Sequence, residues 1–403
     1  MTGCPCRPSG RFSPACMHSL NLIRVFCQIQ WIVLLVSITM AFCHTHLSTS
    51  HIIIWLILSI YTCICLYVVG TLTRSESHPS LRVLNHVWTE RIILLGGGGS
   101  LLQEGMAYKN VNMYTPGERD KDEKWRVCNN MNTTHGYFFV EAVAMKGEVY
   151  VISGDDHKSA GTVEKFNYLN NKWSVCANLP CKNMFVSAAV VNDNSIIVSG
   201  GLSQVSGEFS SAVYTLKHGD DGVAEQWIDA GKLPIPRYGH ASVFYEGKVW
   251  IVGGQVEGQQ SNTNSCLLYN PSTFEFEKGP SPKIARIWSR VFVINKQLYV
   301  VGGDTVSSKA FPSIEVYDKI NKVWKFVSHF PAPRKLYASV ASGTKIYIFG
   351  GKDENYCNVN SFDVYDVVTD TWSRAIDNND KCSQIIGDRD HFHGGHAVCI
   401  SYA

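Results

Sequence analysis

The sequence predicts an all-β fold: a six-bladed β-propeller that the C-terminal strand closes, preceded by one or two transmembrane helices. Three observations predict the propeller. Six apolar segments end in Gly-Gly or Ser-Gly, and each is followed by an aromatic residue that is Trp in five of the six units. Successive aromatic residues lie 48, 54, 49, 48 and 48 residues apart, as expected for a repeated supersecondary unit. Residues 393–403 resemble the first strand of such a unit, so they can complete the first blade.

The repeated unit explains why these residue types recur. One sheet of short strands cannot bury both of its faces alone, but sheets arranged around an axis cover each other. The strand-end positions are held by Gly96 and Gly97, Gly154 after Ser153, Gly200 and Gly201, Gly253 and Gly254, Gly302 and Gly303, and Gly350 and Gly351; the aromatic positions are held by Trp125, Trp173, Trp227, Phe276, Trp324 and Trp372. Glycine permits a positive φ and close approach of backbones near the axis, and large rings fill the wedge between blades. The alternative, a two-sheet sandwich, leaves six matched pairs of marks unexplained.

Composition narrows the function classes. The chain has 403 residues with 36 Lys and Arg against 34 Asp and Glu, a net charge of +2. This balance and the lack of a basic run argue against nucleic-acid binding. Seven of the fourteen cysteines follow residue 70, and none forms a Cys-x-x-Cys pair. An odd number of cysteines in the larger part predicts reduced thiols rather than a disulfide framework or a zinc site.

The first ninety residues differ in composition from the rest of the chain. A polar segment at 1–24 precedes an apolar region at 25–73, and a linker at 74–90 leads to the repeats at 91–403. The apolar region contains two runs, and the second, at 51–73, is uncharged and long enough to cross a bilayer. Arginines flank the two runs on their outer sides, which predicts that both ends face the cytosol. We therefore expect a membrane-associated protein with a cytosolic propeller; the alternative is a soluble cytoplasmic protein whose first ninety residues come from an incorrect gene model.

The recurring marks resemble the kelch repeat. That repeat combines a Gly-Gly after an apolar strand, Tyr and Trp at fixed offsets, and an Arg before the next unit's first strand. The segments IPRYGHASVFYEGKVWIVGG and PAPRKLYASVASGTKIYIFGG are close to this pattern, and the resemblance covers about residues 91–403. It is greatest to the propeller of Kelch-like proteins. The resemblance implies a domain that binds a protein partner, whereas in that family upstream BTB and BACK domains recruit a cullin-RING ubiquitin ligase. The first ninety residues match neither domain, so the resemblance does not extend to cullin binding.

The resemblance also implies where a partner binds. The repeat's Arg position and its aromatic companions are occupied by Arg237 with Tyr238, Arg286 with Trp288, and Arg334 with Tyr337. In Kelch-like propellers this region lies at the channel mouth and contacts acidic peptides, because a guanidinium group binds carboxylates in a bidentate manner. The alternative is that these arginines donate to carbonyls of neighbouring blades and hold the ring together. Blades two and three lack the Arg and have Phe138 and Phe185 in similar places, which predicts an apolar rim.

The remaining patterns argue against catalysis. The histidines His391, His393 and His396 are close in sequence, but no carboxylate or Cys pattern supports a metal site. No cofactor is expected. A kelch-fold oxidase would need a copper set of Tyr, His and a modified Cys, which cannot be assigned here, and no Gly-x-Ser-x-Gly nucleophile motif occurs. The sequence therefore predicts a non-enzymatic protein-binding module. The first alternative is the substrate-recognition part of a cullin-RING ubiquitin ligase adaptor whose BTB region is missing or misannotated, and the second is a kelch-fold oxidase.

Overall fold

The computed structural model describes residues 90–95, 109–116, 125–135, 140–154, 158–217, 225–305, 313–353, 355, 357, 359, 362–375 and 396–400. The expectations for 1–24, for the apolar region at 25–73 and for all but the last residue of the linker at 74–90 lie outside these residues, as do Gly96, Gly97 and Phe138. Within the described ranges the regular elements are β-strands. A helix with the length and apolarity to span a membrane is not found in those ranges.

The strands follow one another blade by blade along the chain. Blade one begins with β1 (Arg91–Leu95), β2 (Val111–Tyr114) and β3 (Trp125–Cys128); blade two contains β4 (Glu141–Met145), β5 (Glu148–Ile152), β6 (Val163–Asn167) and β7 (Lys172–Val175). Next come β8 (Asn183–Met184), then β9 (Ser187–Val191), β10 (Ser195–Ser199), β11 (Leu202–Ser203), β12 (Ala212–Lys217) and β13 (Gln226–Lys232). They are followed by β14 (Arg237–Tyr238), β15 (Ala241–Tyr245), β16 (Lys248–Val252), β17 (Gln255–Val256), β18 (Cys266–Tyr269) and β19 (Phe276–Gly279). Blade five contains β20 (Arg290–Ile294), β21 (Gln297–Val301), β22 (Ser313–Asp318) and β23 (Val323–His329); blade six contains β24 (Ala338–Ser342), β25 (Lys345–Phe349), β26 (Phe362–Asp366) and β27 (Thr371–Ala375), and β28 (His396–Ile400) ends the series.

These strands form six four-stranded antiparallel sheets among the described residues, one for each predicted blade. The innermost strands β28, β4, β9, β15, β20 and β24 contact one another in that order, and β24 contacts β28 again, so the ring is closed. Closure occurs in blade one, where β28 pairs with β1 from Arg91 opposite Ile400 to Leu95 opposite His396. The predicted closure by the C-terminal strand is therefore confirmed, and so is the six-bladed all-β fold.

The hydrophobic core is divided into six layers, one between each pair of neighbouring blades. Successive side chains of a strand point to opposite faces of the sheet. In β5, accordingly, Val149 and Val151 pack towards blade one, whereas Tyr150 and Ile152 pack towards blade three. Because both faces are buried, the second strand of each blade is apolar at its central positions, which is why the sequence shows an apolar run shortly before each strand end.

The aromatic marks join neighbouring blades, as the sequence predicted. Each ring packs in the layer between its own blade and the preceding one; these rings are Trp125, Trp173, Trp227, Phe276, Trp324 and Trp372. The indole N–H adds a polar contact in the same direction. Trp173 donates to the carbonyl oxygen of Asn129 at 2.8 Å, and Trp324 donates to that of Pro280 at 2.8 Å. In blade four Phe276 has no N–H, and the hydroxyl of Tyr269 donates instead to Ala230 of blade three, at 2.7 Å.

The strand-end glycines bring consecutive blades together. Gly253 and Gly254 have φ values of +70° and +90°, and a Cβ atom on Gly253 would lie 2.6 Å from the carbonyl oxygen of Arg286. The N–H of Gly254 donates to that oxygen at 2.7 Å, so the glycine pair binds the segment that enters the next blade. The other described pairs share the positive φ: Gly200 and Gly201, Gly302 and Gly303, and Gly350 and Gly351. In blade two Ser153 takes the first position with φ of 58°, and a Cβ on Gly154 would lie 2.1 Å from the carbonyl oxygen of His135.

Candidate functional site

The three repeat arginines lie inside the blades, just before the inner strands. Each is 1% exposed, and each donates from Nη1 to the carbonyl oxygen of its own blade's first strand-end glycine. These pairs are Arg237 with Gly253 at 3.2 Å, Arg286 with Gly302 at 2.7 Å, and Arg334 with Gly350 at 3.2 Å. This is the kind of contact that the structural alternative predicted, although the carbonyl belongs to the same blade and not to a neighbour.

Buried carboxylates complete two of these arginine sites. Arg286 Nη2 lies 2.6 Å from Glu315 Oε1, and Arg334 forms an ion pair with Asp363. Both carboxylates are at most 1% exposed. In the described part of the chain no acid pairs with Arg237 of blade four; there Arg237 donates to Ser265 Oγ at 3.2 Å, and burial lowers the pKa of Arg237 to about 10. The three guanidinium groups are thus bonded to groups within the protein.

Other residues take the arginine's place in blades two and three. His135 is fully buried, with Nδ1 2.8 Å from the carbonyl oxygen of Ser153 and Nε2 2.8 Å from Glu164 Oε1. In blade three Asn183 Nδ2 donates to the carbonyl oxygen of Gly200 at 3.0 Å. Sequence reasoning noted the missing arginines but not these replacements. The sequence contains a signal for these replacements. His135 lies 18 positions and Asn183 lies 17 positions before the strand-end residue that each contacts, whereas each arginine lies 16 positions before its own.

Aromatic side chains from blades three, four and five meet at the end of the channel where the inner strands begin, which we call the mouth. Phe185, Tyr238 and Trp288 form a mutually packed aromatic cluster. The ring centroids are 6.0 Å apart for Phe185 and Tyr238, 5.1 Å for Phe185 and Trp288, and 5.7 Å for Tyr238 and Trp288. All three are half-buried. The structure therefore brings together two of the predicted aromatic companions and the predicted rim residue Phe185.

Tyr337, the third predicted companion, lies against a different neighbour. Its ring packs on Phe330 at 5.4 Å, and its hydroxyl accepts a hydrogen bond from the N–H of Gly303 at 3.0 Å. Burial raises the pKa of Tyr337 to about 12. It still lines the mouth cavity together with Phe185 and Trp288.

The backbone at the mouth is unusual for large residues. Phe185, Trp288 and Leu336 have φ values of 56°, 62° and 54°, and the corresponding residue of blade four is Gly239 with φ of 63°. All four line the same cavity. A bulky residue in the left-handed region costs about 1–3 kcal/mol and persists where the surrounding structure imposes it, often at binding sites. Three blades thus hold large apolar side chains where glycine would be unstrained.

The floor of the mouth cavity contains an ion pair that crosses the channel. Arg290 Nη1 of blade five donates to Glu141 Oε2 of blade two at 2.7 Å, and these blades face each other across the ring. The other oxygen of Glu141 accepts from the N–H of Ala188 at 2.9 Å. Burial raises the pKa of Glu141, and Arg290 opposes that shift. His396 lies beside the pair, 3.8 Å from Glu141. Sequence reasoning did not find Glu141 or Arg290.

Two residues that line this cavity each carry a buried polar atom without a hydrogen-bond partner among the described residues: His240 Nδ1 and Ser289 Oγ. His240 is 4% exposed and Ser289 is 3% exposed. The other nitrogen of His240, Nε2, lies 2.9 Å from Ser199 Oγ. Burial, reinforced by the charge of Arg237, lowers the pKa of His240 to about 3, so its ring is neutral near pH 7.

A groove runs from the cavity along the rim. It is lined by Tyr238, Trp288, Leu336, Asp304 and Lys335, with the carboxamides of Gln255, Gln260 and Asn262 on one side. Burial raises the pKa of Asp304, and the charge of Lys335 opposes that shift. The aromatic cluster is therefore continuous with a polar groove.

Metal-binding side chains are not grouped in the described ranges: no set of three or more His, Cys, Asp or Glu there could hold an ion. His396 Nδ1 lies 2.8 Å from the carbonyl oxygen of Val140. The neighbouring His391 and His393 are outside the described residues. Six of the seven cysteines that follow residue 70 are described, and each is a free thiol.

Comparison with known proteins agrees with the repeat pattern. The Kelch motif matches residues 137–180, 236–283, 289–331 and 333–375. Beta-scruin of Limulus polyphemus is 26% identical over 301 residues, which is 70% of this chain and 32% of the relative. Kelch-like protein 15 of Homo sapiens is 25% identical over 264 residues, 60% of this chain and 42% of the relative. Kelch-like protein 23 of Mus musculus is 28% identical over 201 residues, 49% of this chain and 34% of the relative. The chain thus spans less than half of each of these relatives.

Proposed function

We propose that this chain, a kelch-repeat protein, is a non-enzymatic module that binds a protein partner at the channel mouth. The partner docks on the aromatic cluster of Phe185, Tyr238 and Trp288 and extends along the polar groove beside it. Aromatic side chains supply large apolar contact areas at little conformational cost, and they dominate binding energy in many protein interfaces.

The observation that carries the proposal is the backbone strain at the mouth. Phe185, Trp288 and Leu336 keep positive φ values although glycine serves at the same place in blade four. Their side chains are half-buried and turn towards one cavity, so they are not needed to fill the layers between blades. Strain of this kind is retained where a surface must present side chains in a fixed arrangement.

The binding surface proposed here differs in emphasis from the one expected from the sequence. That expectation relied on three guanidinium groups to recognise an acidic peptide. Arg237, Arg286 and Arg334 are 1% exposed and bonded to main-chain carbonyls. Contact between a partner and Tyr238, Trp288 or Tyr337 stays a prediction, and it now rests on their shared position around the mouth cavity and its groove.

Two finer statements belong to the same proposal. The uncharged run at residues 51–73 supports tethering of the propeller to a membrane with the repeats in the cytosol. The alternative is a soluble adaptor that presents substrates to a cullin-RING ubiquitin ligase, and the similarity to Kelch-like proteins 15 and 23 supports that reading. In either case the propeller performs the same step, which is to hold a partner at its mouth.

Site-specific photo-crosslinking in cells tests the proposal. A photoreactive phenylalanine analogue replaces Trp288 at the mouth or, as the control, Ile320, which is 92% exposed on the outer turn of the same blade. We expect a discrete protein adduct from position 288 that position 320 does not give. The same set of adducts from both positions, or none from position 288, would contradict docking at the mouth.

A further inference from the structure

The mouth cavity has an apolar rim and a floor where the Arg290–Glu141 ion pair lies beside two hydrogen-bonding residues, His240 and Ser289, and together they indicate the chemistry of its occupant. We infer that a tyrosine side chain of the partner inserts there, with its ring against Phe185 and Trp288 and its hydroxyl on His240 and Ser289. This inference rests on the proposed function and specifies the kind of partner segment that the mouth accepts. The rim and floor residues all line one cavity.

The charged groups at the mouth are either paired or disfavoured by burial. Glu141 is paired with Arg290 at 2.7 Å. Burial raises the pKa of Asp304 and so favours its neutral form, although the charge of Lys335 opposes that shift. The ring of His240 is buried next to Arg237, which disfavours a second positive charge there. A charged side chain entering this site would lose its hydration without gaining a counterion, which is unfavourable in a buried position. The site therefore selects an uncharged side chain.

The two unpartnered floor atoms require an occupant that can both donate and accept. A neutral imidazole has one donor and one acceptor nitrogen, so His240 Nδ1 takes whichever role Nε2 leaves with Ser199 Oγ. Ser289 Oγ can take either role. A phenol hydroxyl satisfies both atoms in either tautomer, whereas a carboxylate only accepts and an ammonium group only donates. Leaving such buried atoms unsatisfied is unfavourable.

The size of the cavity fits the end of one side chain. It encloses about 40 Å³, and a single ordered water needs at least about 10–15 Å³ of such volume. An occupant would therefore displace roughly three waters. A phenol tip with its ring edge meets this limit, and the rest of the ring would lie against the rim residues. Tyrosine is the amino acid that joins an aromatic body to a neutral hydroxyl.

Selection from a displayed library of random short peptides on the full chain tests the inference. Counter-selection uses the Trp288→Gly chain, because glycine is unstrained at φ of 62° and removes one rim ring. We expect the enriched peptides to share a tyrosine without a common charge. A synthetic peptide and its Tyr-to-Phe analogue are then titrated, and loss of the hydroxyl should weaken binding roughly two- to tenfold.

Two serine variants serve as a matched pair. Ser289→Ala removes a floor hydroxyl that has no partner in the free protein, so it should leave folding intact and reduce the preference for tyrosine over phenylalanine. Ser339→Ala also removes a buried unpartnered hydroxyl, but one that does not line the mouth cavity, and it should keep the full preference. Equal preference in both variants would overturn the assignment of the floor.

The possible outcomes separate the inference from the proposed function. Acidic peptides without tyrosine that lose binding to the Trp288→Gly chain would overturn the tyrosine inference and retain the mouth as the docking site. Peptides that bind the Trp288→Gly chain equally well would contradict both. If no peptide is enriched, the inference is overturned, because the cavity then does not recognise a short segment, and photo-crosslinking at position 288 still decides the proposed function.

Discussion

Arg290 and Glu141 join opposite sides of the propeller across its channel. They are 149 residues apart in sequence, at the first positions of β20 and β4, and their side chains meet at 2.7 Å. The side chain of Arg290 is 24% exposed and that of Glu141 is 10% exposed, so water screens the pair only in part. This contact ties blade five directly to blade two on the opposite side of the ring.

Removal of Arg290 is therefore expected to destabilise the ring. Arg290→Met leaves a largely buried carboxylate on Glu141 without its cation and should lower the free energy of unfolding by about 2 kcal/mol. In Arg290→Met with Glu141→Gln much of that loss should return, because no uncompensated charge remains. Urea unfolding of the four chains of this double-mutant cycle measures the coupling.

A surface pair provides the control for this cycle. Lys248 and Glu277 lie 2.5 Å apart, but their side chains are 35% and 56% exposed. Exposed pairs contribute little to stability, so Lys248→Met should leave the urea midpoint unchanged. If the two cycles gave the same coupling energy, the cross-channel pair would have no special role in holding the ring.

Tyr269→Phe tests the contact that replaces the missing indole in blade four. The hydroxyl of Tyr269 is buried and donates to Ala230 of blade three at 2.7 Å, so its loss should lower stability by about 1 kcal/mol. Tyr299→Phe is the matched control, because that hydroxyl bonds within its own hairpin to Gln297 at 3.2 Å. Thermal unfolding should show a larger loss for Tyr269→Phe; equal losses would argue that the link between blades adds nothing.

The repeat marks could be predicted because each is set by local sequence. A strand that is buried on both faces must be mainly apolar. The glycine that follows it must leave room for the backbone of the next blade, as at Gly254, whose N–H donates to the carbonyl oxygen of Arg286. These demands recur at a constant spacing, so six units could be counted and the closing strand assigned. The position of Phe185 at the rim could also be predicted, because it lies at the same offset in its repeat as Trp288 does.

The contacts that distinguish one blade from another could not be predicted. Glu141 and Arg290 occupy equivalent first positions of inner strands, and only the closed ring shows that these positions face each other. His135 takes the place of a repeat arginine, and the hydroxyl of Tyr269 takes the place of an indole N–H. These replacements cannot be predicted without knowing which atoms share an interface. Whether a guanidinium group is buried also depends on the neighbouring blades. The sequence therefore allowed two roles for the repeat arginines, contact with a partner or bonding within the propeller.

The two arginines that contact Asp363 show how burial determines the energetic role. Arg334 is fully buried, whereas Arg374 lies 2.8 Å from the same carboxylate and is 41% exposed. Arg334→Ala should lower the free energy of unfolding by about 3 kcal/mol, since it leaves a buried carboxylate poorly compensated. Arg374→Ala should cost less than about 1 kcal/mol. Chemical denaturation of the two variants provides the comparison, and a larger loss for Arg374→Ala would contradict it.

The same reasoning extends to variants meant to probe binding. In Arg286→Ala combined with Arg334→Ala, two buried carboxylates, Glu315 and Asp363, lose their main cations. We expect this double variant to lose the folded state, as seen by circular dichroism. Loss of partner capture in it would then say nothing about contact with the arginines, whereas a folded double variant would show that their contacts are dispensable for the scaffold.

Acid should destabilise the propeller through two buried histidines. Burial lowers the pKa of His240 to about 3, with Arg237 adding to the shift, and lowers the pKa of His396 well below 6.5, where Arg290 acts in the same direction. Protonation therefore favours the unfolded chain, so stability is fully present above pH 6.5 and falls as the pH drops below it. From pH 7 to pH 5 His240 should contribute a loss of about 2 kcal/mol, and His396 should add a loss in the same direction.

Variants at His240 and at an exposed histidine measure this effect. His240→Gln removes one titrating ring and should reduce the loss between pH 7 and pH 5 by about 2 kcal/mol. His329→Gln should leave the loss unchanged, because that side chain is exposed. The raised pKa of Glu141 acts in the opposite direction, since its protonation favours the folded state, and it becomes important as the pH approaches the range of carboxyl groups. Urea midpoints at several pH values give the slope, and a slope that His240→Gln does not reduce would mean that the buried imidazole is not the group that makes the ring acid-sensitive.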